Sequence, residues 1–86
     1  MKQPLNYAIL LYFGRHADGD ADAVMTALAP EYGSHRAFRR PAVIEALMTA
    51  KENGILEETG CGLSGGGLVV RYRLTDVGAG LMRRFL

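Results

Sequence analysis

The chain has 86 residues and a formal net charge of +1, with 49% of its residues hydrophobic. This length allows one domain with a small core and excludes two, so residues 1–86 are interpreted as a single domain. The near-zero net charge neither favours nor excludes a nucleic-acid binder, because the placement of charges determines the local field.

Cysteine usage and hydropathy indicate where the protein acts. Cys61 is the single cysteine, so no disulfide can form within the chain and no Cys-based metal site is indicated. We therefore expect a cytoplasmic protein. The apolar run from Tyr7 to Phe13 is too short to cross a bilayer, and no cleavage pattern of an export signal follows it, so we expect no membrane partner.

The N-terminal half predicts two helices. The first spans about Pro4 to His16 and is more hydrophobic than one solvated side requires, which indicates either a central position or contact with a second subunit. The second is short, about Ala21 to Ala29, with Asp18 or Asp20 as its N-cap and Pro30 at its end. The residues predicted to face inward are Leu5, Ala8, Ile9, Tyr12 and Phe13, then Val24, Met25 and Leu28.

The third helix has both ends marked. Proline fits the first helical position and glycine the position just past the end, which predicts a helix over Pro41 to Asn53 followed by Gly54. Helical spacing predicts that Ile44, Leu47, Met48 and Lys51 face the core, whereas Glu45, Thr49 and Glu52 lie on the other side.

A basic run precedes this helix. Eight of the ten basic residues are arginines, and Arg36, Arg39 and Arg40 lie together beside His35. We expect Arg39 and Arg40 just outside the helix, next to its unpaired N–H groups, where they can bind a phosphate together with those groups. In the alternative interpretation they lie on a solvated connection and pair with nearby acids such as Glu31 or Asp22.

The C-terminal half predicts a β-hairpin and a last helix. The strands are Ile55 to Thr59 and Leu68 to Leu74, and the segment from Gly60 to Gly67 forms a flexible tip. Thr75 is the predicted N-cap of the last helix. The side chains of Val77, Leu81 and Phe85 form its predicted apolar stripe, and Gly78 and Gly80 suggest close packing.

Two further arginines lie on the second strand. Folding of the hairpin brings Glu57 and Glu58 across from Arg71 and Arg73, and we favour a structural role for these cross-strand pairs over contact with nucleic acid. No nucleophile with a base, no metal-ligand spacing and no phosphate-binding loop is visible, so we expect neither an enzyme nor a cofactor.

The segment LMTAKENGIL, Leu47 to Leu56, and the pattern Y-x-L-T-x-x-G, formed by Tyr72, Leu74, Thr75 and Gly78, resemble the winged helix-turn-helix domain of small bacterial transcription regulators of the MarR-like and PadR-like kind. The resemblance implies an α+β fold with three helices, a β-hairpin wing and a C-terminal helix. It covers about the second half of the chain.

The resemblance also implies a function. The third helix would enter the major groove of double-stranded DNA, the hairpin would lie against the backbone or minor groove, and a homodimer would form through the first and last helices. The DNA-binding residues would be His35, Arg36, Arg39, Arg40, Glu45, Thr49, Arg71 and Arg73. An alternative of another class is a protein-interaction module, such as an adaptor or an anti-regulator from a phage or mobile element, which the tip without cations and the apolar first helix favour.

Overall fold

The computed structural model describes residues 4–64 and 67–85, except for the side chains at positions 64 and 85. Three helices come first, a two-stranded antiparallel sheet follows, and a fourth helix ends the described chain. The elements are α1 (Leu5–Arg15), α2 (Ala21–Tyr32), α3 (Arg40–Glu52), β1 (Leu56–Ser64), β2 (Gly67–Leu74) and α4 (Asp76–Phe85).

Helix α1 lies in the core, which is one of the two positions that its sequence left open. All five residues of its predicted stripe are buried. His16 follows the helix, and its Nδ1 donates to the carbonyl oxygen of Tyr12 at 2.9 Å while its ring stacks on the Tyr12 ring. His16 therefore has a capping role.

None of the helices within residues 4–64 and 67–85 combines the length and the apolar character that a membrane span requires.

Helix α2 is longer than the sequence predicts. The prediction that it ends before Pro30 is wrong, because the helix continues through this proline to Tyr32. Tyr32 is only 2% exposed, and burial of so large a side chain offsets the hydrogen bond that the proline removes. At the other end, Asp20 is the N-cap, and its Oδ1 accepts from the Ala23 N–H at 2.8 Å.

Helix α3 has the predicted length but a different buried face. Leu47 is buried and Ile44 partly buried as predicted, whereas Met48 and Lys51 are exposed. Val43 and Ala50 are buried instead. The helix begins one residue earlier than expected, so that the N-cap is Arg39 and the residue expected outside, Arg40, is the first helical residue.

Strands β1 and β2 form a longer hairpin than the sequence predicts. Most of the segment expected as a flexible tip is paired, because β1 extends to Ser64 and β2 begins at Gly67; residues 65–66 lie outside the described part. A bulge between Glu58 and Gly60 shifts the register. Before the bulge, Glu57 faces Arg73 as expected and Glu58 faces Tyr72; beyond the bulge, Gly60 faces Arg71.

The connection between α1 and α2 pairs with the outer edge of β2. Gly19 and Tyr72 exchange backbone hydrogen bonds of 3.0 and 2.8 Å. A Cβ at position 19 would lie 2.7 Å from the Tyr12 ring, so a glycine allows this close approach. The second strand of the hairpin is thereby attached to the connection between α1 and α2.

Helix α4 begins at the predicted cap. The Thr75 hydroxyl accepts from the Gly78 N–H at 3.0 Å and donates to the Gly54 carbonyl oxygen at 2.5 Å. The predicted stripe is wrong at Val77 and Leu81, which are exposed, and its third member, Phe85, has no described side chain. The inward residues are Gly78 and Met82.

Candidate nucleic-acid interface

The connection between α2 and α3 is folded into tight turns. The His35 N–H donates to Tyr32 and the Phe38 N–H donates to His35, at 2.8 and 3.0 Å. The His35 ring accepts from the Ala37 N–H through Nδ1 at 3.1 Å. Phe38 packs against the core, which fixes the path of the chain into α3. The arginines of this segment are therefore attached to an ordered backbone.

Arg40 is held by an acid on α2. Its Nε donates to Asp22 Oδ1 at 3.0 Å, and both side chains are about half exposed. This hydrogen bond and the charge of the guanidinium lower the pKa of the Asp22 carboxyl below its ordinary value, and the same contact raises the pKa of Arg40. For this arginine the alternative interpretation, pairing with a nearby acid, is the one that the structure supports.

Arg36 and Arg39 are the cations of this segment that remain available. Both are exposed, and within the described part of the chain neither forms an ion pair. Arg39 is the N-cap residue of α3 and makes no side-chain capping hydrogen bond. Because the first N–H groups of a helix lack partners within the helix and carry partial positive charge, an anion here meets donors of both kinds.

The outer face of α3 continues from these arginines. It forms an open surface depression of about 640 Å³ that is shared by Arg40, Ile44, Glu45, Met48, Thr49 and Glu52. The two residues predicted to read bases, Glu45 and Thr49, are both exposed on this face. The face therefore carries acceptors and apolar groups, and among the described residues that line it Arg40, at one end, is the only cation.

The two arginines of the hairpin are engaged in ion pairs. Arg73 Nη2 lies 2.5 Å from Glu57 Oε1, which confirms the predicted cross-strand pair. Arg71 does not pair with Glu58. Its Nη2 donates to Asp18 Oδ1 at 2.7 Å and its Nε to Asp18 Oδ2 at 3.3 Å, while Glu58 forms an ion pair with Lys51. The register accounts for this difference: because Glu57 faces Arg73, the next residue, Glu58, faces Tyr72, and Arg71 lies opposite Gly60 beyond the bulge.

The predicted site residues thus fall into two groups. His35, Arg36, Arg39 and Arg40 lie at the N-terminal end of α3 with Glu45 and Thr49 along its outer face, whereas Arg71 and Arg73 lie on the hairpin. Sequence reasoning missed Met48, which it assigned to the core and which is 52% exposed. It also missed Leu68, the second residue of β2, whose side chain is 65% exposed.

Comparison with solved structures identifies the architecture. The crystal structure of Bacillus subtilis PadR in complex with operator DNA matches with a TM-score of 0.74 at 20% sequence identity, over 96% of this chain. The fold is a winged helix-turn-helix. In this winged helix α2 and α3 form the helix-turn-helix pair, and the β1–β2 hairpin is the wing.

The match to this chain covers only part of the PadR chain. This chain spans 46% of the PadR chain that it matches. No protein-family model matches the sequence, and no curated protein matches it significantly. The relationship to PadR is therefore one of fold.

Proposed function

We propose that this chain is a DNA-binding transcriptional regulator. The observation that carries the proposal is the pair of exposed arginines, Arg36 and Arg39, at the N-terminal end of α3, with no acid paired to either within the described residues. In support, the similar winged helix of PadR was solved with operator DNA. The role implies a cytoplasmic location.

In the proposed complex α3 lies in the major groove. Arg36 and Arg39 contact phosphates on the groove wall, with His35 beside them, and Arg40 joins them when it leaves Asp22. Glu45 is suited to accept from a cytosine amino group, and Thr49 can contact either kind of base pair. Arg71 and Arg73 would contribute to the field of the wing, with their charge partly neutralised by Asp18 and Glu57.

The proposal is tested by fluorescence anisotropy of a labelled duplex of mixed sequence, titrated at several salt concentrations. Each phosphate contact contributes about −0.9 to the slope of log K against log salt. The double variant Arg36→Ala with Arg39→Ala is therefore expected to lose affinity and to show a slope shallower by about 1.8. The matched control replaces Arg83 and Arg84, at the end of α4, which removes the same charge elsewhere.

Three outcomes decide the proposal. A larger loss in the α3 double variant than in the α4 control supports contact at α3. If wild type does not bind DNA at low salt, the DNA-binding role is wrong; if the two double variants lose affinity equally, the contact surface is wrong and the attraction comes from overall charge.

A homodimer is part of the proposal. Val77 is 61% exposed and lies one helical turn from the exposed Leu81, so that α4 presents an apolar strip on its surface. We propose that α1 and α4 form the dimer contact. Sedimentation equilibrium of wild type and of the Val77→Ser, Leu81→Ser variant tests it: wild type should be dimeric and the variant monomeric. A monomeric wild type at high micromolar concentration would contradict the dimer.

A second candidate function is protein interaction without specific DNA binding. It is favoured by the exposed apolar side chains of the wing, since Leu63 is 85% exposed and directly faces Leu68 across the two strands. Paired apolar side chains at such exposure are typical of a surface that another protein covers. This candidate predicts no DNA affinity at low salt, which is the outcome that separates it from the first.

A further inference from the structure

The outer face of α3 has an unusual chemistry for a helix proposed to lie in the major groove. Between Pro41 and Lys51 it carries no arginine, lysine, asparagine or glutamine. The remaining cation of the helix, Lys51, forms an ion pair with Glu58 on β1. The middle of α3 therefore lacks the donors that usually contact purine edges, which are arginine or lysine for guanine and asparagine or glutamine for adenine.

One of the exposed groups on this face is a large apolar side chain. Met48 is 52% exposed although it lies near the middle of the helix. It lines the depression on the outer face together with Glu45 and Thr49. It also lines a smaller cavity of about 100 Å³ between α3 and the wing, together with Leu47 and Leu68. The Met48 side chain thus lies against the wing on one side and is exposed to solvent on the outer face of α3.

The major groove offers one apolar group to such a side chain. Thymine alone among the four bases carries a methyl group at C5, and apolar side chains discriminate thymine by contact with it. Methionine suits this contact because its unbranched, polarizable thioether adapts to an irregular surface. Burial of one methyl group corresponds to about a fourfold gain in affinity.

The free arginines at the N-terminal end of α3 favour DNA over a protein as the group that covers Met48. Arg36 and Arg39 are exposed at the N-terminal end of the same helix and attract phosphates, which would bring the outer face of α3 onto the groove floor. In such a complex the phosphate contacts of the arginines would position α3 on the DNA, and the apolar contact of Met48 would select the base.

We propose that Met48 is a specificity-determining residue that reads the 5-methyl group of a thymine in the major groove. The inference rests on the proposed DNA-binding function and adds to it the base that α3 selects. Because a 5-methyl group on cytosine occupies the same place in the groove, methylation of a cytosine at this position partly restores the contact.

The test begins with selection of bound duplexes from a random pool by the wild-type protein, which should enrich a thymine at a fixed position. The affinity of the selected duplex is then compared with that of a duplex carrying uracil, which lacks only the methyl group, at that position. Wild type should bind the uracil duplex about fourfold more weakly. The Met48→Ala variant should bind both duplexes equally, and its thermal unfolding confirms that it is folded.

The control variant is Thr26→Ala, which removes an exposed side chain of α2 that has no part in the proposed contacts with DNA or with a second subunit, and it should keep the fourfold difference. Equal binding of the two duplexes by wild type, or an undiminished difference in Met48→Ala, overturns the inference while the DNA-binding function stands. Absence of any DNA binding at low salt overturns both, and the outer face of α3 would then be assigned to a protein partner.

Discussion

Gly78 in α4 lies directly against the backbone carbonyl oxygen of Ile55, the residue that precedes β1. A Cβ at position 78 would overlap this oxygen and would lie 2.8 Å from Leu74 Cδ1. The Thr75 N–H donates to the same carbonyl at 2.9 Å, so the oxygen is held and cannot move aside. The absence of a side chain at position 78 is what allows α4 to pack across the base of the hairpin.

Gly78→Ala should destabilise the protein although alanine is the better helix former. Overpacking costs about 1–3 kcal/mol, whereas alanine returns at most about 1 kcal/mol of helix propensity. Gly80→Ala is the control in the same helix, because its Cβ meets no described atom within 4 Å, and it should stabilise by up to about 1 kcal/mol. Urea denaturation measures both. A stabilised Gly78→Ala would contradict the close contact.

Thr75 should be needed for its hydroxyl rather than its shape. The hydroxyl caps α4 at Gly78 and joins it to the turn at Gly54. Thr75→Val keeps the volume and should lower the free energy of unfolding by about 1–2 kcal/mol, whereas Thr75→Ser should stay near wild type. Equal thermal stability of the two variants would show that the cap does not contribute.

Asp22 should restrain DNA binding by holding Arg40. Asp22→Asn weakens the ion pair and frees Arg40 for a phosphate, so the slope of log K against log salt should steepen by about 0.9 and affinity should rise. The control is Asp76→Asn, which removes the same charge from the first turn of α4. If both variants gain affinity with no change in slope, only overall charge matters.

The same pair predicts a pH effect of defined sign. Arg40 lowers the pKa of Asp22 in the folded protein, so the stability that the pair contributes is present above the ordinary aspartate pKa of about 3.9 and is lost as pH falls through the lowered value. An NMR titration of the Asp22 carboxyl should give a midpoint below the ordinary range that returns to it in Arg40→Ala. An unshifted midpoint in wild type would contradict the contact.

The Arg71–Asp18 pair should couple the α1–α2 connection to the wing. It lies beside the backbone bridge between Gly19 and Tyr72. Because the pair is largely exposed, Asp18→Asn should change global stability little. It should instead raise the hydrogen-exchange rate of the Gly19 amide, with the Ala8 amide in α1 unchanged as the internal control. Equal acceleration at both amides would indicate global destabilisation instead.

The buried face of α3 shows why part of the core could not be predicted. Apolar residues occur at Val43, Ile44, Leu47 and Met48, so two stripes with helical spacing share Leu47 and differ by one residue in phase. The packing of α3 against α2 and β1 selects the stripe with Val43. A similar ambiguity affected α4, where the inward positions include Gly78, a residue with no side chain to reveal a stripe.

The sequence by itself determined the order of the elements, the buried stripe of α1, the cap at Thr75 and the arginines before α3, and it narrowed the cap of α2 to Asp18 or Asp20. These features depend on helical period, turn chemistry and neighbours along the chain, which act locally. Tertiary structure decided the phase of α3, the continuation of α2 through Pro30 and the acid partners of Arg40 and Arg71. These depend on which surfaces meet, and a contact between residues 53 positions apart, such as Arg71 with Asp18, leaves no local pattern in the sequence.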